Sequence, residues 1–354
     1  MVDERRQQLL GAQLRGLVGD HLGTPIDAEP NGFGAGAALM VGTVAWASID
    51  GPAHRRLGAA LAWAHRQGAT TLNVVAAEGG GTVARRALGF SLPIEVWFPD
   101  GRMLLPVVPD ACVPSVEPGS EHLTLVALIE EAGAEPRIEH GVVTGEVRGL
   151  EVCRVVDEPT VGNFVELSDV AGDAERMAEN VSGRDSGGVI LEVGVGANDR
   201  EAFQLLHGHL PTVEALAGVV AAVAEHRSVA TRQHPLNRMA VERFLRWQVE
   251  REPDRLGLES LAAVESPVVR LSMKHGEPCV GQGLDTEGRS VLVVFSSGVD
   301  LDLMPFVADA VQCTAETFDR VIVTLPERDL VSITADLSQL LTQPVELIAL
   351  PDEV

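Results

Sequence analysis

The chain has 354 residues, of which 45% are hydrophobic and 22% are charged. This apolar share is enough to build folded cores, which excludes an intrinsically disordered chain, and the length predicts two or three domains. The net charge of −24 gives an acidic surface that repels phosphate backbones. We therefore expect a protein partner rather than nucleic acid, unless a bound divalent metal mediates the contact.

The first 112 residues predict an α/β lobe. Apolar runs bounded by turn residues predict strands, and apolar residues recurring at i, i+3, i+4 and i+7 predict helices. The strands are expected at 37–47, 72–76 and 94–98, and the helices at 4–22, 52–67 and 82–90. Their alternating order implies a parallel sheet with crossover helices.

The middle region, 119–265, is predicted to be α+β and rich in helix. Four prolines between positions 106 and 118 indicate a linker before it. Strands are expected within 142–156 and at 189–193, helices at 121–132, 213–224 and 235–250, and a loop or short helix over the acidic stretch 157–188. Thr212 has the position and chemistry of a helix N-cap.

The last region, 270–354, repeats the order of the first. Strands are predicted at 291–295, 321–325 and 345–350, and helices at 301–312 and 330–341. Aligning Trp46 with Phe295 places Val74 against Val323, a step of 28 residues in each. Either an internal duplication or the similar lengths of most β-α-β units explains this spacing. The predicted fold class is α/β, with two βαβαβ lobes at 1–112 and 270–354 flanking the helix-rich middle.

The basic residues and cysteines limit the available chemistry. Lys274 is the only lysine and tyrosine is absent, a composition typical of a GC-rich, actinobacterial-type genome. Cys112, Cys153, Cys279 and Cys313 lack metal-binding or redox spacing, so we expect reduced structural thiols. No signal-peptide pattern and no apolar run of about 18 residues is found, which predicts a cytoplasmic protein without a membrane span.

The stretch 57–105 contains a helix, the segment Gly-Ala-Thr-Thr-Leu-Asn-Val-Val, a helix with Ala-Arg-Arg-Ala, and the run Ile-Glu-Val-Trp. It resembles the later half of Mrr-type nucleases of the restriction-endonuclease-like superfamily, over about one-seventh of the chain. In that superfamily an acid and an acid-x-lysine pair hold a divalent metal. Residues 44–48, Val-Ala-Trp-Ala-Ser, contain neither, so the resemblance implies a degenerate lobe. The whole chain also resembles conserved actinobacterial proteins, a resemblance that points to no particular activity.

Carboxylates near predicted strand ends are the candidates for metal-assisted hydrolysis. Glu192 lies inside a predicted strand, and Asp300 and Asp302 follow another. Open α/β sheets place their ligand crevice at the C-terminal ends of strands, and carboxylates suit Mg²⁺. In the alternative interpretation, Asp300 and Asp302 are helix-capping acids and Glu192 faces solvent.

A truncated Gly-x-Gly-x-x-Gly pattern follows the strand at 189–193. Gly194 and Gly196 occupy its first two glycine positions and Asp199 the third, which would make this turn a cofactor-binding, nucleotide-type site. A His-x-His pair at His207 and His209 could hold zinc if a third ligand converged.

Seven arginines lie between positions 227 and 255, interleaved with acids. Such alternation is typical of a salt-bridged, solvated helix face. The alternative is a partner-binding surface formed by Arg238, Arg243 and Arg246.

The leading hypothesis is a non-catalytic cytosolic binding or scaffold protein built on degenerate nuclease-like lobes. One alternative is a Mg²⁺-dependent hydrolase, such as a nuclease, that uses Glu192, Asp300 and Asp302. The other is a nucleotide-binding regulator acting through the turn at 194–199. Whether the chain is an enzyme stays open, as does its oligomeric state.

Overall fold

The computed structural model describes residues 2–34, 36–158, 188–207, 212–228, 234–270, 276–314 and 316–351. They contain helices and three β-sheets, which confirms the predicted α/β class. The chain divides into two compact units: unit 1 comprises Met1–Val113 and Gly283–Pro351, and unit 2 comprises Pro114–Gln282 and Asp352–Val354. The first and last predicted regions thus belong to one unit, where the sequence suggested separate lobes.

The first segment of unit 1 builds a six-stranded sheet in the order β1-β2-β3-β4-β5-β6. Its strands are β1 (Asn31–Phe33), β2 (Gly36–Val41), β3 (Val44–Ile49), β4 (Thr71–Ala76), β5 (Ile94–Asp100) and β6 (Met103–Pro106), and its helices are α1 (Val2–Leu22), α2 (Leu57–Arg66) and α3 (Gly80–Ala87). Strands β3, β4 and β5 are parallel, as expected for crossover helices. The run 37–47 forms two antiparallel strands because Gly42, with a φ of 61°, reverses the chain.

Unit 2 is built on a four-stranded sheet in the order β10-β9-β8-β7, whose strand pairs are all antiparallel. The strands of this sheet are β7 (Glu135–Glu139), β8 (Val142–Val147), β9 (Leu150–Asp157) and β10 (Val189–Val193). Two strands outside this sheet follow, β11 (Leu258–Val264) and β12 (Cys279–Asp285), the last continuing into unit 1. The helices of unit 2 are α4 (Ser120–Leu123), α5 (Val126–Glu131), α6 (Ala197–His207), α7 (Val213–His226) and α8 (Val241–Arg251). Thr212 accepts a hydrogen bond from the Ala215 amide at 3.2 Å, which confirms the predicted N-cap. The core of unit 2 packs helices against this sheet.

The second segment of unit 1 repeats the parallel β-α-β-α-β order. It contains β13 (Ser290–Phe295), α9 (Leu303–Cys313), β14 (Arg320–Pro326), α10 (Ser332–Ser338) and β15 (Val345–Leu350). Phe90, between α3 and β5, and Leu341, between α10 and β15, form an antiparallel bridge. Equivalent positions touch each other when two copies are related by a two-fold axis. The bridge supports the internal duplication, which stays a prediction.

Two of the four cysteines form a disulfide. Cys112 and Cys313 are bonded with a Cα–Cα distance of 5.4 Å, whereas Cys153 and Cys279 are free and buried. The expectation of four reduced thiols is therefore wrong for one pair. A separation of 201 residues leaves no spacing signal in the sequence. Within the described ranges, no helix has the length and apolar character needed to cross a membrane.

Candidate functional site

The most buried carboxylate of unit 1 joins its two chain segments. Asp309, on α9, is fully buried. Its Oδ1 accepts from Arg85 Nε at 2.7 Å, and its Oδ2 accepts from Arg86 Nε at 3.1 Å, both arginines being on α3. Breaking one partner of such a buried pair leaves an uncompensated charge, which is costly. We conclude that this cluster stabilises the contact between α3 and α9.

The predicted catalytic and metal-binding acids Asp300 and Asp302 lie before α9. Asp302 Oδ1 accepts from the Gly58 amide in the first turn of α2 at 2.8 Å, and Asp300 Oδ1 accepts from the Asp302 amide at 2.8 Å. Burial raises the pKa of both carboxyls, to about 6 for Asp302, where the charge of Asp300 adds to the effect. The geometry matches the capping interpretation, with Asp302 capping a different helix from its own.

Glu192 is held by arginines on one face of the unit 2 sheet. Its Oε2 lies 3.5 Å from Arg200 Nη1, and it faces Arg154 in the register of β9 and β10. Glu192 belongs to unit 2, whereas Asp300 and Asp302 belong to unit 1. Among the residues that the structure describes, no group of three or more His, Cys, Asp or Glu side chains is arranged to hold a metal ion.

The predicted cofactor-binding turn is packed against its own helix. Gly194 has a φ of 143°, and a Cβ built there would lie 2.6 Å from the Arg200 amide nitrogen. Arg200 Nε also donates to the Gly194 carbonyl at 3.3 Å. Gly196 accepts from the Arg200 amide, and Asp199 is an exposed acid in the first turn of α6. These contacts explain the glycine at 194 by its close packing against the first turn of α6, without a bound cofactor.

Two of the three arginines predicted to bind a partner are interior residues. Arg246 is only 1% exposed, and Arg243 donates from Nη1 to Glu146 at 2.7 Å and from Nη2 to Glu139. Burial opposes the charged form of Arg243, but Glu146 and Glu139 outweigh it and hold its pKa well above the usual range. Only Arg238 is exposed. The partner surface predicted on all three is therefore corrected: Arg243 and Arg246 neutralise Glu146, which is buried, and Glu139, which is partly buried.

Arg227 has a structural role that the sequence did not single out. It is fully buried, and burial lowers its pKa to about 10. The guanidinium donates to four backbone carbonyls at 2.7–3.0 Å, those of Arg148, Leu236, Met239 and Ala240. Arg227 therefore fixes the position of the chain where α8 begins.

The predicted zinc-binding pair and the single lysine cannot be placed. His209, Lys274 and the side chain of His207 lie outside the described residues.

An exposed apolar surface lies on the β5–β6 hairpin. Phe98 is 44% exposed and pairs with Leu105, which is 41% exposed, while Met103 is 60% exposed. Directly opposed residues, and residues two apart on a strand, point to the same side of a sheet. Leu104, on the other side, packs in the core beneath α1. We name Phe98, Met103 and Leu105 the apolar hairpin face. In the sequence, this face is indicated by the run Met103-Leu104-Leu105. Consecutive residues of a strand point to opposite sides, so three apolar residues in a row make both sides of the strand apolar.

No family model matches the chain, and no curated protein or solved structure is significantly similar to it. The resemblance of residues 57–105 to Mrr-type nucleases accordingly stays a prediction.

Proposed function

We propose that this chain is a non-catalytic binding protein that docks a protein partner on the apolar hairpin face. The observation that carries the proposal is the exposure of Phe98, Met103 and Leu105 side by side on an edge hairpin. Exposed apolar clusters of this kind mark interaction sites more often than scattered apolar residues do. The degenerate nuclease-like origin of the lobe is part of the same proposal.

The charged candidates support a binding role because their atoms are already engaged within the chain. Asp302 bonds the Gly58 amide, Glu192 pairs with Arg200, and Arg243 bonds two glutamates. A general acid or a metal ligand needs a free position for substrate or ion. These contacts favour structural roles for the residues that the sequence offered for chemistry.

The charge of the chain limits the partner. With a net charge of −24, two copies repel each other, and so does an acidic partner. The hairpin turn carries Arg102, whose Nε donates to Asp20 at 2.8 Å, so the rim presents a neutralised pair. We expect an apolar surface with a neutral or basic rim on a different protein.

Site-specific photo-crosslinking in cells tests this proposal. A photoreactive phenylalanine analogue at position 105 is expected to give one discrete adduct, and M103E in the same chain should abolish it. The matched control carries the analogue at position 9, where Leu9 is 65% exposed on α1. Mass spectrometry must find a second, different polypeptide in the adduct. Adducts equal at both positions, or an adduct with a second copy of this chain, would contradict the proposal.

A Mg²⁺-dependent hydrolase is the second candidate, and one observation favours it. The pKa of Asp302 is raised to about 6 by burial and by Asp300, as in many catalytic carboxyls. Cleavage of nucleic acid with Mg²⁺ that is lost in both D300N and D302N, while the fold is retained, would support this candidate. Cleavage that both variants retain would rule out these acids as its source.

The cytoplasmic location also stays a proposal. The Cys112–Cys313 disulfide bears on it directly, because stable disulfides are rare where glutathione and thioredoxin keep thiols reduced.

A further inference from the structure

We propose that the Cys112–Cys313 disulfide is a redox-controlled tether that holds residues 107–113 beside the apolar hairpin face and thereby regulates partner docking. The tether stands on its own geometry, while its regulatory role rests on the proposed function. Residues 107–113 follow β6 directly in the chain, so the end of the hairpin and the tethered segment are continuous.

The side chains of the segment bury little apolar surface. Val108 is 79% exposed, and Pro109, Asp110, Ala111 and Val113 are exposed as well. A segment that buries so little apolar surface has little local stability of its own. Its covalent bond to α9 is therefore the strongest restraint on its position.

The segment makes hydrogen bonds with both ends of α3 and with β5, where the Val107 amide donates to the Val96 carbonyl at 2.9 Å. The Asp110 amide donates to the Gly81 carbonyl at 3.0 Å, and Thr82 Oγ1 donates to Asp110 Oδ2 at 3.1 Å. Arg85 Nη1 donates to the Ala111 carbonyl at 2.7 Å. Hydrogen bonds between neutral groups near solvent contribute little net stability, whereas the bond from the charged Arg85 guanidinium contributes more. We expect them to form when the disulfide holds the segment in place and to open frequently when it is reduced.

The disulfide also lies beside the buried ion pair. Cys313 Sγ is 3.7 Å from Asp309 Oδ1, and Arg85 bonds both Asp309 and the tethered segment. Arg85 therefore joins the disulfide, the segment and the α3–α9 contact in one cluster. Reduction of the disulfide frees Ala111 to move away from Arg85, while the bond between Arg85 and Asp309 stays in place.

The redox step is a thiol–disulfide exchange with a dithiol reductant. A thiolate of the reductant attacks one sulfur, the Cys112–Cys313 bond breaks, and the second reductant thiol resolves the mixed disulfide. The chain gains two electrons and two protons as two thiols, and the reductant leaves as its own disulfide. Both cysteines are partly exposed, which permits the attack. Cys153 and Cys279 are buried, and burial raises the pKa of each thiol to about 12, so they take no part.

Hydrogen–deuterium exchange of the full chain, with and without dithiothreitol, tests the tether. We expect reduction to speed exchange at the Val107 and Asp110 amides by about tenfold or more, with no change in β8 and β9. The C112S/C313S double variant should match the reduced protein and ignore dithiothreitol, and C153S is the matched control that keeps the response. Equal exchange of the segment in both redox states would overturn the proposal, as would four free thiols in the protein denatured without reductant.

The crosslinking experiment at position 105, repeated on oxidised and reduced protein, separates the two proposals. A redox-dependent adduct supports both. An adduct of equal yield in both states, together with a redox change in exchange, leaves the docking face supported and removes its regulation. If exchange responds but no partner is captured at position 105, the tether stands and the proposed function fails.

Discussion

The titration of Asp302 should change the stability of unit 1 with pH. Its pKa rises from an ordinary 3.8 to about 6 on folding, mainly because the carboxyl is buried. A difference of about two pH units corresponds to about 3 kcal/mol. The folded state holds the proton of Asp302 more tightly than the unfolded state does. Protonation of Asp302 therefore contributes fully to the free energy of unfolding below about pH 4, and this contribution is lost as the pH rises towards 6.

The substitution D302N isolates this effect. Asparagine keeps an oxygen that accepts the Gly58 amide hydrogen bond but carries no charge to desolvate or to repel Asp300. We expect D302N to be about 2–3 kcal/mol more stable than the wild type at pH 7 and equally stable near pH 4. Chemical unfolding at pH values from 4 to 7.5 measures the free energy of unfolding of both proteins, and groups that do not interact with Asp302 contribute equally to the two.

A matched control is D329N. Asp329 Oδ2 accepts from the Gly298 amide at 2.7 Å in a more exposed hydrogen bond than that of Asp302, so the same substitution there removes one charge and keeps a backbone acceptor. A D302N protein that is less stable than the wild type at pH 7 would refute the reasoning. It would mean that the negative charge at the start of α2 stabilises the helix by more than its burial costs.

Two further substitutions test buried polar groups. D309N leaves two arginines without their carboxylate, and we expect it to lower the free energy of unfolding by about 3–5 kcal/mol, seen as a loss of about 10 °C in the melting temperature; a loss below about 1 kcal/mol would contradict the role assigned to this pair. R227K keeps the charge but cannot reach four carbonyls, so it should cost unit 2 about 2–4 kcal/mol in urea titrations. For this variant, full stability with lysine would show that charge alone suffices there.

The elements that the sequence predicts well are those whose local pattern agrees with their tertiary setting. Strands β4, β13 and β14 are short runs rich in β-branched residues buried in the middle of sheets. Helix α7 has an N-cap and a continuous apolar stripe. In these segments propensity, periodicity and burial all favour one structure, so a single sequence is sufficient.

The strands that the sequence misses are formed by pairing rather than by propensity. β11 has the sequence Leu-Glu-Ser-Leu-Ala-Ala-Val, which contains good helix formers, and β12 contains two glycines. β7 contains Pro136, which argues against a central strand but is tolerated at the edge that β7 occupies. Neighbouring strands decide these cases, and a single sequence does not specify its neighbours.

The candidate site shows the same limit more strongly. The sequence identifies Asp302 as an acid at the start of a helix. It does not reveal that the partner of Asp302 is the Gly58 amide, 244 positions away. Arg243 and Arg246 alternate with acids, which is the usual pattern of a solvated face. They are buried because Glu139 and Glu146, about 100 positions earlier, neutralise them inside unit 2.

The near absence of lysine, which alone suggests only a genome's codon bias, fits the way buried charge is used in both units. Arg85 bonds a carboxylate and a backbone carbonyl at once, Arg243 bonds two glutamates, and Arg227 bonds four carbonyls. A guanidinium presents five donors in a fixed plane, whereas an ammonium is a compact point charge on a flexible stem. Each of these sites joins chain segments far apart in sequence, so the planar group sets tertiary geometry as well as neutralising charge. Arginine at these positions is therefore a requirement of the fold, whatever brought it into the composition.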